Sequence, residues 1–474
     1  MVGSVQVHKF GGTSVATTNR DRHVLELALK SVSQDSLTFM VCSGAGKIDN
    51  TEDGRKATDH AYDIVNGRNR ATAWGILKDR LEQNAYDHSL QSLCLEYLIG
   101  EAEMFLNSEN LDRIGKAHII GLPERFKAQI IYEVGKREHP ELNWRMLDYK
   151  QCLMFAIEGY HENIDVPLDH TKTLRAINNF VGKKDLKAWE VSEDVRNLKG
   201  CVGVLPGFIG VNERREMVTL RRGMSDGTAT YWGAGSGAEE VVIWSDNNGI
   251  APVDPRIVRG LAPIQTLGYG EARAFAGLGA GILHEAAIRP AKEYGTNIRV
   301  RNTFNPEQEG TLITGIIDEN HYGIKAIACI PGYEVIKVRD MPMHEAGIAA
   351  KVARMFADYG INIEKDVDGD FFRSYAVFPG NNIEELKVAL EDAGHRTETE
   401  ENVFQIALIG EGMNYVGKPG DQTAKRILMN VLDDNGVENL MESYAKGSVV
   451  LSAFVERKDG VLMASKLAQA LGFN

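Results

Sequence analysis

The 474-residue sequence is short of three things, and each shortage excludes a class of protein. Its five cysteines (Cys42, Cys94, Cys152, Cys201 and Cys329) are widely scattered, with no Cys-x-x-Cys spacing. That pattern suits reduced thiols and offers no zinc framework. No apolar stretch approaches the roughly 18 residues of a membrane span, so no membrane partner is expected. Positive charge is outnumbered: 53 Lys and Arg against 66 Asp and Glu give a formal net charge of −13. This argues against broad nucleic-acid binding, although a local cluster of cations still suits a small anionic substrate. The first apolar strand begins so early that a leader segment is not expected, and the cytoplasm is the expected location.

What is present describes a globular protein, with 43% apolar and 25% charged residues. The length exceeds what one core supports, so two or three domains are expected. Residues 4–10 read as a strand, and Val24, Leu25, Ala28 and Val32 mark one face of a helix beginning near Arg20. Leu37–Cys42 is a continuous apolar run, as in a buried parallel strand. Residues 57–118 read as mostly helical, and Gly200–Ile209 and Glu240–Trp244 as further buried strands. This order predicts an α/β fold, a mainly parallel sheet flanked by helices, with ligands at the carboxyl ends of the strands.

Past about residue 318 the pattern changes. Strands are predicted at Tyr333–Val338, Ile361–Asp366 and Phe371–Phe378, with helices over Ala346–Tyr359 and Ile383–Ala393. The same succession returns from Phe404, through a helix near Asp421–Asp433 and a strand at Val449–Val455, to a last helix. Two consecutive βαββαβ units of α+β type are therefore predicted.

The stretch "VHKFGGTSVATTNR" (7–20) places a lysine and two glycines between a strand and a helix. Glycines allow backbone to approach an anion, the helix start adds a positive dipole end, and Lys9 adds a point charge. The spacing is not that of a Walker loop, and taken alone the segment is an ordinary turn.

Its neighbours change that reading. "KFGGTSV" (9–15), "VCSGAGKIDNTEDGRKATD" (41–59), "LPERFKAQIIYEV" (122–134), "GFIGVNERREMVTLRRGMSDGTA" (207–229), "WSDNNGIAPVDPRIV" (244–258) and "LHEAAIRPAKEYGTNIRVRNTFNPEQEGTLI" (283–313) follow one another in the order used by aspartate kinases. "IGEGM" (409–413) resembles the second of that family's tandem ACT domains. The sequence thus resembles the aspartate kinase family along essentially its whole length. The resemblance implies an amino-acid-kinase domain over 1–318 and ACT domains over 319–400 and 401–474. It implies transfer of a phosphoryl group from ATP to the side chain of L-aspartate.

By the same resemblance, Lys9 stabilises the transferring group and Asp226 orients that lysine. Ser43, Glu124 and Arg222 contact aspartate, Glu124 receiving its ammonium group and Arg222 its α-carboxylate. Gly11, Gly12, Thr13, Ser225, Asp246, Asp254 and Arg256 lie near ATP, whose phosphates and water hold Mg²⁺, so no protein metal site is expected. Met343, His344, Gly347, Ile348 and Asp368 are candidates for an effector site taking lysine or threonine, and the ACT domains for assembly of a homodimer or homotetramer. Three alternatives stand beside this reading: an aspartate kinase relative of a specialised pathway, an amino-acid-kinase-fold enzyme acting on glutamate, carbamate or UMP, and a catalytically silent amino-acid sensor.

The departures from the family pattern cluster on the nucleotide side. Met224 replaces a glycine, so its side chain is expected to intrude where backbone should approach phosphate. Asn248 replaces an aspartate, Ala251 a tyrosine, and Gly281 a lysine of some members. On the substrate side, Pro123 and Arg221 stand in place of glycines, and Glu101 competes with Glu124 as the Gly-Glu carboxylate.

Overall fold

The computed structural model describes residues 4–30, 32–33, 36–46, 54–108, 111–157, 166–181, 200–278, 283–316, 322–341, 347–369, 371–380, 382–413, 424–444 and 448–473. The chain forms two compact units, one of residues 1–250 and 283–315, the other of 251–282 and 316–474.

The first unit is built on a mainly parallel sheet. Its strands are β1 (Val5–Phe10), β2 (Leu37–Cys42), β3 (Asn143–Met146), β4 (Cys201–Pro206), β7 (Glu240–Ser245), β9 (Asn297–Asn302) and β10 (Thr311–Thr314). A separate ribbon pairs β5 (Ile209–Val211) with β6 (Met217–Thr219), and β8 (Thr266–Gly268) falls in the segment assigned to the second unit. Within the first unit the spatial order is β3-β4-β2-β1-β7-β9-β10, and the last strand alone runs antiparallel to its neighbour. All six residues of β2 and of β4 are buried, as expected of strands covered on both faces. The run predicted at Gly200–Ile209 is interrupted after Pro206. Proline ends the ladder, and Phe208 takes a left-handed conformation, φ +68°, before the chain turns into β5.

Helices cover both faces. On one, α5 (Arg113–Glu138) is buried almost continuously from Gly115 to Gly135 and packs with α1 (Thr18–Leu29), α2 (Ala57–Val65), α3 (Arg70–Asp87) and α4 (Leu93–Leu106). Val32, expected within the first helix, lies beyond its end and packs against the same cluster. The other face carries α6 (His170–Phe180), α7 (Ser225–Ser236) and α9 (Ile288–Tyr294). There the ring of Phe39 meets Trp232 of α7 at 4.6 Å between centroids. Side chains alternate along β1, so Phe10 enters the cluster containing α5 while Lys9 turns toward α7. Strand order reverses at β1, with β2 on one side and β7 on the other, which opens a crevice at their carboxyl ends.

The second unit contains α8 (Tyr269–Gly277) and one six-stranded antiparallel sheet in the order β12-β13-β11-β14-β16-β15. Its strands are β11 (Ala326–Arg339), β12 (Ile363–Gly369), β13 (Phe372–Val377), β14 (Thr397–Ile409), β15 (Met441–Tyr444) and β16 (Val450–Glu456). Helices α10 (Ile348–Asp358) and α11 (Ile383–Asp392) close one core with Ile336 and Val338, while α12 (Ala424–Asp434) and α13 (Arg457–Ala470) close another with Ile327 and Leu408. The two βαββαβ units are not simply consecutive. Strands β11 and β14 pair along most of their length, with register shifts between Pro331 and Val335. The first half of β11 therefore completes the sheet of the second helix pair, and the first α+β unit is inserted after it. Sequence shows which segments are strands, but a partner 80 residues away is chosen by the sheet.

Candidate active site

At the carboxyl edge of the first unit's sheet, three loops meet. The loop after β1 holds Gly11 and Gly12, the loop after β2 holds Ser43, Gly44 and Gly46, and the loop after β4 holds Gly207. The Gly46 N–H donates to Gly12 O at 2.8 Å, and Ser43 N–H to Phe10 O at 3.1 Å. A Cβ at Gly12 would lie 2.7 Å from Gly44 O, and one at Gly46 would lie 2.4 Å from the Gly12 carbonyl carbon. The Gly11 N–H donates to Trp244 O at 3.1 Å. These glycines are required first for backbone packing, and the Gly11 amide is occupied by the sheet instead of turning toward an anion.

Lys9 extends from β1 to the first turn of α7, where Nζ meets Asp226 Oδ1 at 2.8 Å, both side chains being nearly buried. Asp226 Oδ2 accepts the backbone N–H of His284 at 3.3 Å. Ser225, the first residue of α7, is buried beside Gly207, and a Cβ there would lie 2.6 Å from Ser225 Oγ. A helix start favours an anion and a carboxylate favours a cation, so Asp226 is at home on this turn while it fixes the lysine. Met224 does not intrude toward a ligand. Its side chain is 3% exposed and folds back over Gly227, where a Cβ would lie 2.5 Å from Met224 Sδ. The apolar methionine gains burial only because the helix offers it a position without a side chain.

On the other side of the loops, Glu124 lies in the middle of α5, directly after Pro123. It is 4% exposed, and Oε1 accepts the Thr58 hydroxyl at 3.2 Å. Its Oε2 is buried with no hydrogen-bond partner among the described residues. Burial pushes its carboxyl up to about 7, against the opposing pull of backbone N–H groups, Thr58 and Arg222. Gly44 is again a close approach, since a Cβ there would lie 2.8 Å from Pro123 Cβ and 3.2 Å from Glu124 Oε1. Arg222, 60% exposed, pairs through Nη2 with Asp59 Oδ1 and lies over the Tyr62 ring, 5.4 Å from its centroid. Glu101 is engaged elsewhere. Its Oε2 pairs with His118 Nδ1 at 2.9 Å and with Arg125 Nη1 at 2.5 Å, and Arg125 in turn pairs with Asp148.

The remaining sequence candidates are dispersed. Thr13 follows Gly12 in a short 3₁₀ turn, and its carbonyl accepts from Arg20 Nη1 at 3.0 Å. Asp246 follows β7 on the same edge, exposed, its carboxylate accepting from Asn247 Nδ2. Asn248 Oδ1 accepts from Asn302 Nδ2 at 2.8 Å. Asp254, Arg256 and Ala251 belong to the second unit, where Asp254 and Arg256 form a two-point ion pair with each other. Also in that unit, Gly347 (φ +85°) precedes Ile348 at the start of α10, and Asp368 pairs with Arg373 across β12 and β13. Met343, His344 and Gly281 lie outside the described residues. Thr58, Asp59, Gly227 and the His284 amide had no assigned role in the sequence. The Thr-Asp pair at 58–59 was the one available signal, and its partners are 66 and 163 positions away.

Known proteins share this architecture. The bifunctional aspartokinase/homoserine dehydrogenase of Daucus carota is 26% identical over 87% of this chain, which spans under half (45%) of that relative's length. The aspartokinase of Geobacillus stearothermophilus is 25% identical over 98% of this chain and 97% of its own. Among solved structures, E. coli aspartokinase III in complex with aspartate and ADP superposes with a TM-score of 0.78 at 20% identity. That match covers 99% of this chain and 100% of the other, a likeness of fold. Residues 4–302 match the model of the amino acid kinase family, the part that carries the Lys9–Asp226 pair and the buried Glu124, and the chain belongs to that family.

Proposed function

We propose that this chain is an aspartate kinase, transferring the γ-phosphoryl group of ATP to the side-chain carboxylate of L-aspartate to give 4-phospho-L-aspartate and ADP. The full-length similarity to the Geobacillus stearothermophilus aspartokinase supports the substrate. The observation that carries the reading is the buried Oε2 of Glu124, which has no hydrogen-bond partner among the described residues and is an acceptor suited to the ammonium group of an amino acid. Arg222 supplies a planar donor set for the α-carboxylate.

The chemistry asks little of the protein beyond alignment and charge neutralisation. A side-chain carboxylate is ionised at pH 7 and needs no general base. The protein's task is to hold two anions in line and neutralise the charge that develops between them. Lys9 meets the transferring group, and Asp226, fixed by the His284 amide, holds the lysine in place. The start of α7 adds its dipole. Ser43 contributes to aspartate binding, and Gly11, Gly12, Thr13, Ser225 and Asp246 to the nucleotide site. Mg²⁺ would come with the nucleotide, carried by phosphate and water oxygens, and would supply charge neutralisation at the transferring group. No group of three potential ligands gathers among the described residues.

The second unit is assigned regulation by lysine or threonine and homo-oligomer assembly. Cytoplasmic location belongs to the same reading. No described helix is long and apolar enough to cross a membrane. A coupled ADP-release assay tests the proposal: turnover that depends on aspartate is expected. No aspartate-dependent turnover with any nucleoside triphosphate overturns it.

A further inference from the structure

Asp59 has no part in the reading above, yet it touches one of the two groups that would recognise the substrate. It is the third residue of α2, and its carboxylate accepts the Lys56 N–H at 3.1 Å, closing the helix's first turn. Burial would raise its carboxyl, but the Lys56 N–H and the Arg222 guanidinium outweigh burial and hold it below the usual range. Its Oδ1 takes Arg222 Nη2, and Tyr62, three residues along the same helix, lies under the guanidinium. Arg222 itself sits in the short turn before α7 and is 60% exposed. Thr58, the preceding residue, donates to Glu124. One turn of α2 therefore holds both the carboxylate and the guanidinium.

We propose that Asp59 is a positioning residue for amino-acid recognition, fixing the Arg222 guanidinium by one nitrogen so that its remaining donors face the substrate's α-carboxylate. The inference rests on the aspartate kinase reading and deepens it. Arginine carries five N–H donors in a rigid fork, so the contact with Nη2 leaves the rest of the fork to bind a carboxylate. An arginine free in solvent loses its rotamer freedom when substrate binds, a loss of up to about tenfold in affinity for one such side chain. Asp59 imposes that order beforehand, and α2 sets the spacing from Glu124.

The test uses the full chain and its variants Asp59→Asn, Asp59→Glu, Arg222→Gln and Asp59→Asn/Arg222→Gln. Aspartate binding is measured by calorimetry, and KM and kcat with ATP and Mg²⁺ are measured beside it. Asparagine keeps an oxygen for the Lys56 N–H, so the cap of α2 persists. Asp59→Asn is expected to raise Kd and KM for aspartate about tenfold with kcat within about twofold. Asp59→Glu is expected to recover at least half of that loss, and Asp59→Asn to add nothing in the Arg222→Gln background. Unchanged or tighter binding in Asp59→Asn overturns the inference, and so does the same loss when Arg222 is already absent. Wild-type protein that fails to bind aspartate overturns the kinase reading and this inference with it. Wild-type binding beside an unaffected Asp59→Asn overturns the inference alone.

Discussion

Glu124 carries a proton near neutrality because its carboxyl is buried, and this gives the site a pH dependence whose sign follows from linkage. Its folded pKa lies above the unfolded value. The stabilising contribution is thus complete below about pH 4.5 and lost as pH rises through about 7. Glu124→Gln removes the burial of that charge. The variant should be more stable than wild type at pH 8, by up to about 3 kcal/mol, and equal to it near pH 4. Urea unfolding at both pH values measures this, and a gain independent of pH would contradict it. The bound ammonium group needs the ionised form, so aspartate affinity should rise between pH 6 and 8 in wild type and stay flat in Glu124→Gln. Lys9 belongs to the same scale. Lys9→Met removes the charge that faces the developing phosphoryl anion and should lower kcat by about 10²–10³-fold. Steady-state kinetics at saturating aspartate would read the loss.

Among the elements, the loops after β1 and β2 interlock without side chains, and α7 begins on a methionine folded over a glycine. Gly46→Ala places a Cβ 2.4 Å from backbone in the neighbouring loop, with no flexible atom to yield. It should lower the melting temperature and abolish turnover together. At Gly227 the obstructing atoms belong to the flexible Met224 side chain. Gly227→Ala should therefore cost about 1–3 kcal/mol as overpacking, and the cost should largely vanish in a Met224→Ala background. A double-mutant cycle by chemical denaturation measures the coupling. Equal costs in both backgrounds would show that the two positions are not packed as a pair. Met224 and Gly227 lie three apart on one helical turn, so their adjacency was legible from spacing. The direction of the methionine was not, because neighbouring space decides whether a long side chain turns inward or toward a ligand.

For the whole molecule, the chain crosses between the two compact units more than once. Residues 251–282 cluster with the second unit, where Val253 bridges to Ile327 and is fully buried in the core with Leu428 and Leu451. Ile257, Val258 and Leu261 pack against the same core. A fragment ending at residue 315 would expose this apolar segment to water, at roughly 25 cal/mol per Å². We expect such a fragment to aggregate, measured by light scattering. The fragment should recover solubility when Val253, Ile257, Val258 and Leu261 are all replaced by Ser. A fully soluble 1–315 fragment would contradict the packing.

Sequence alone determined the local matters: the buried run of β2, the strand expected at Glu240–Trp244, although only half buried, the amphipathic helices, and the change from a parallel α/β half to α+β units. These rest on periodicity and burial along a short stretch of chain. The Lys9 loop was legible as well, through its order among distant motifs. Tertiary structure decided which residues meet. Glu124 was singled out by resemblance alone, with Glu101 as its rival, until burial left one of its oxygens without a partner among the described residues and Glu101 was drawn into a separate ion cluster. Asp59 had no assigned role until the turn before α7 brought Arg222 to it. The pairing of β11 with β14, and the crossing of residues 251–282 into the second unit, belong to the same class. Hydrogen bonds and buried charges act over a few ångströms, and only the folded chain brings residue 59 to 222, 58 to 124 and 9 to 226.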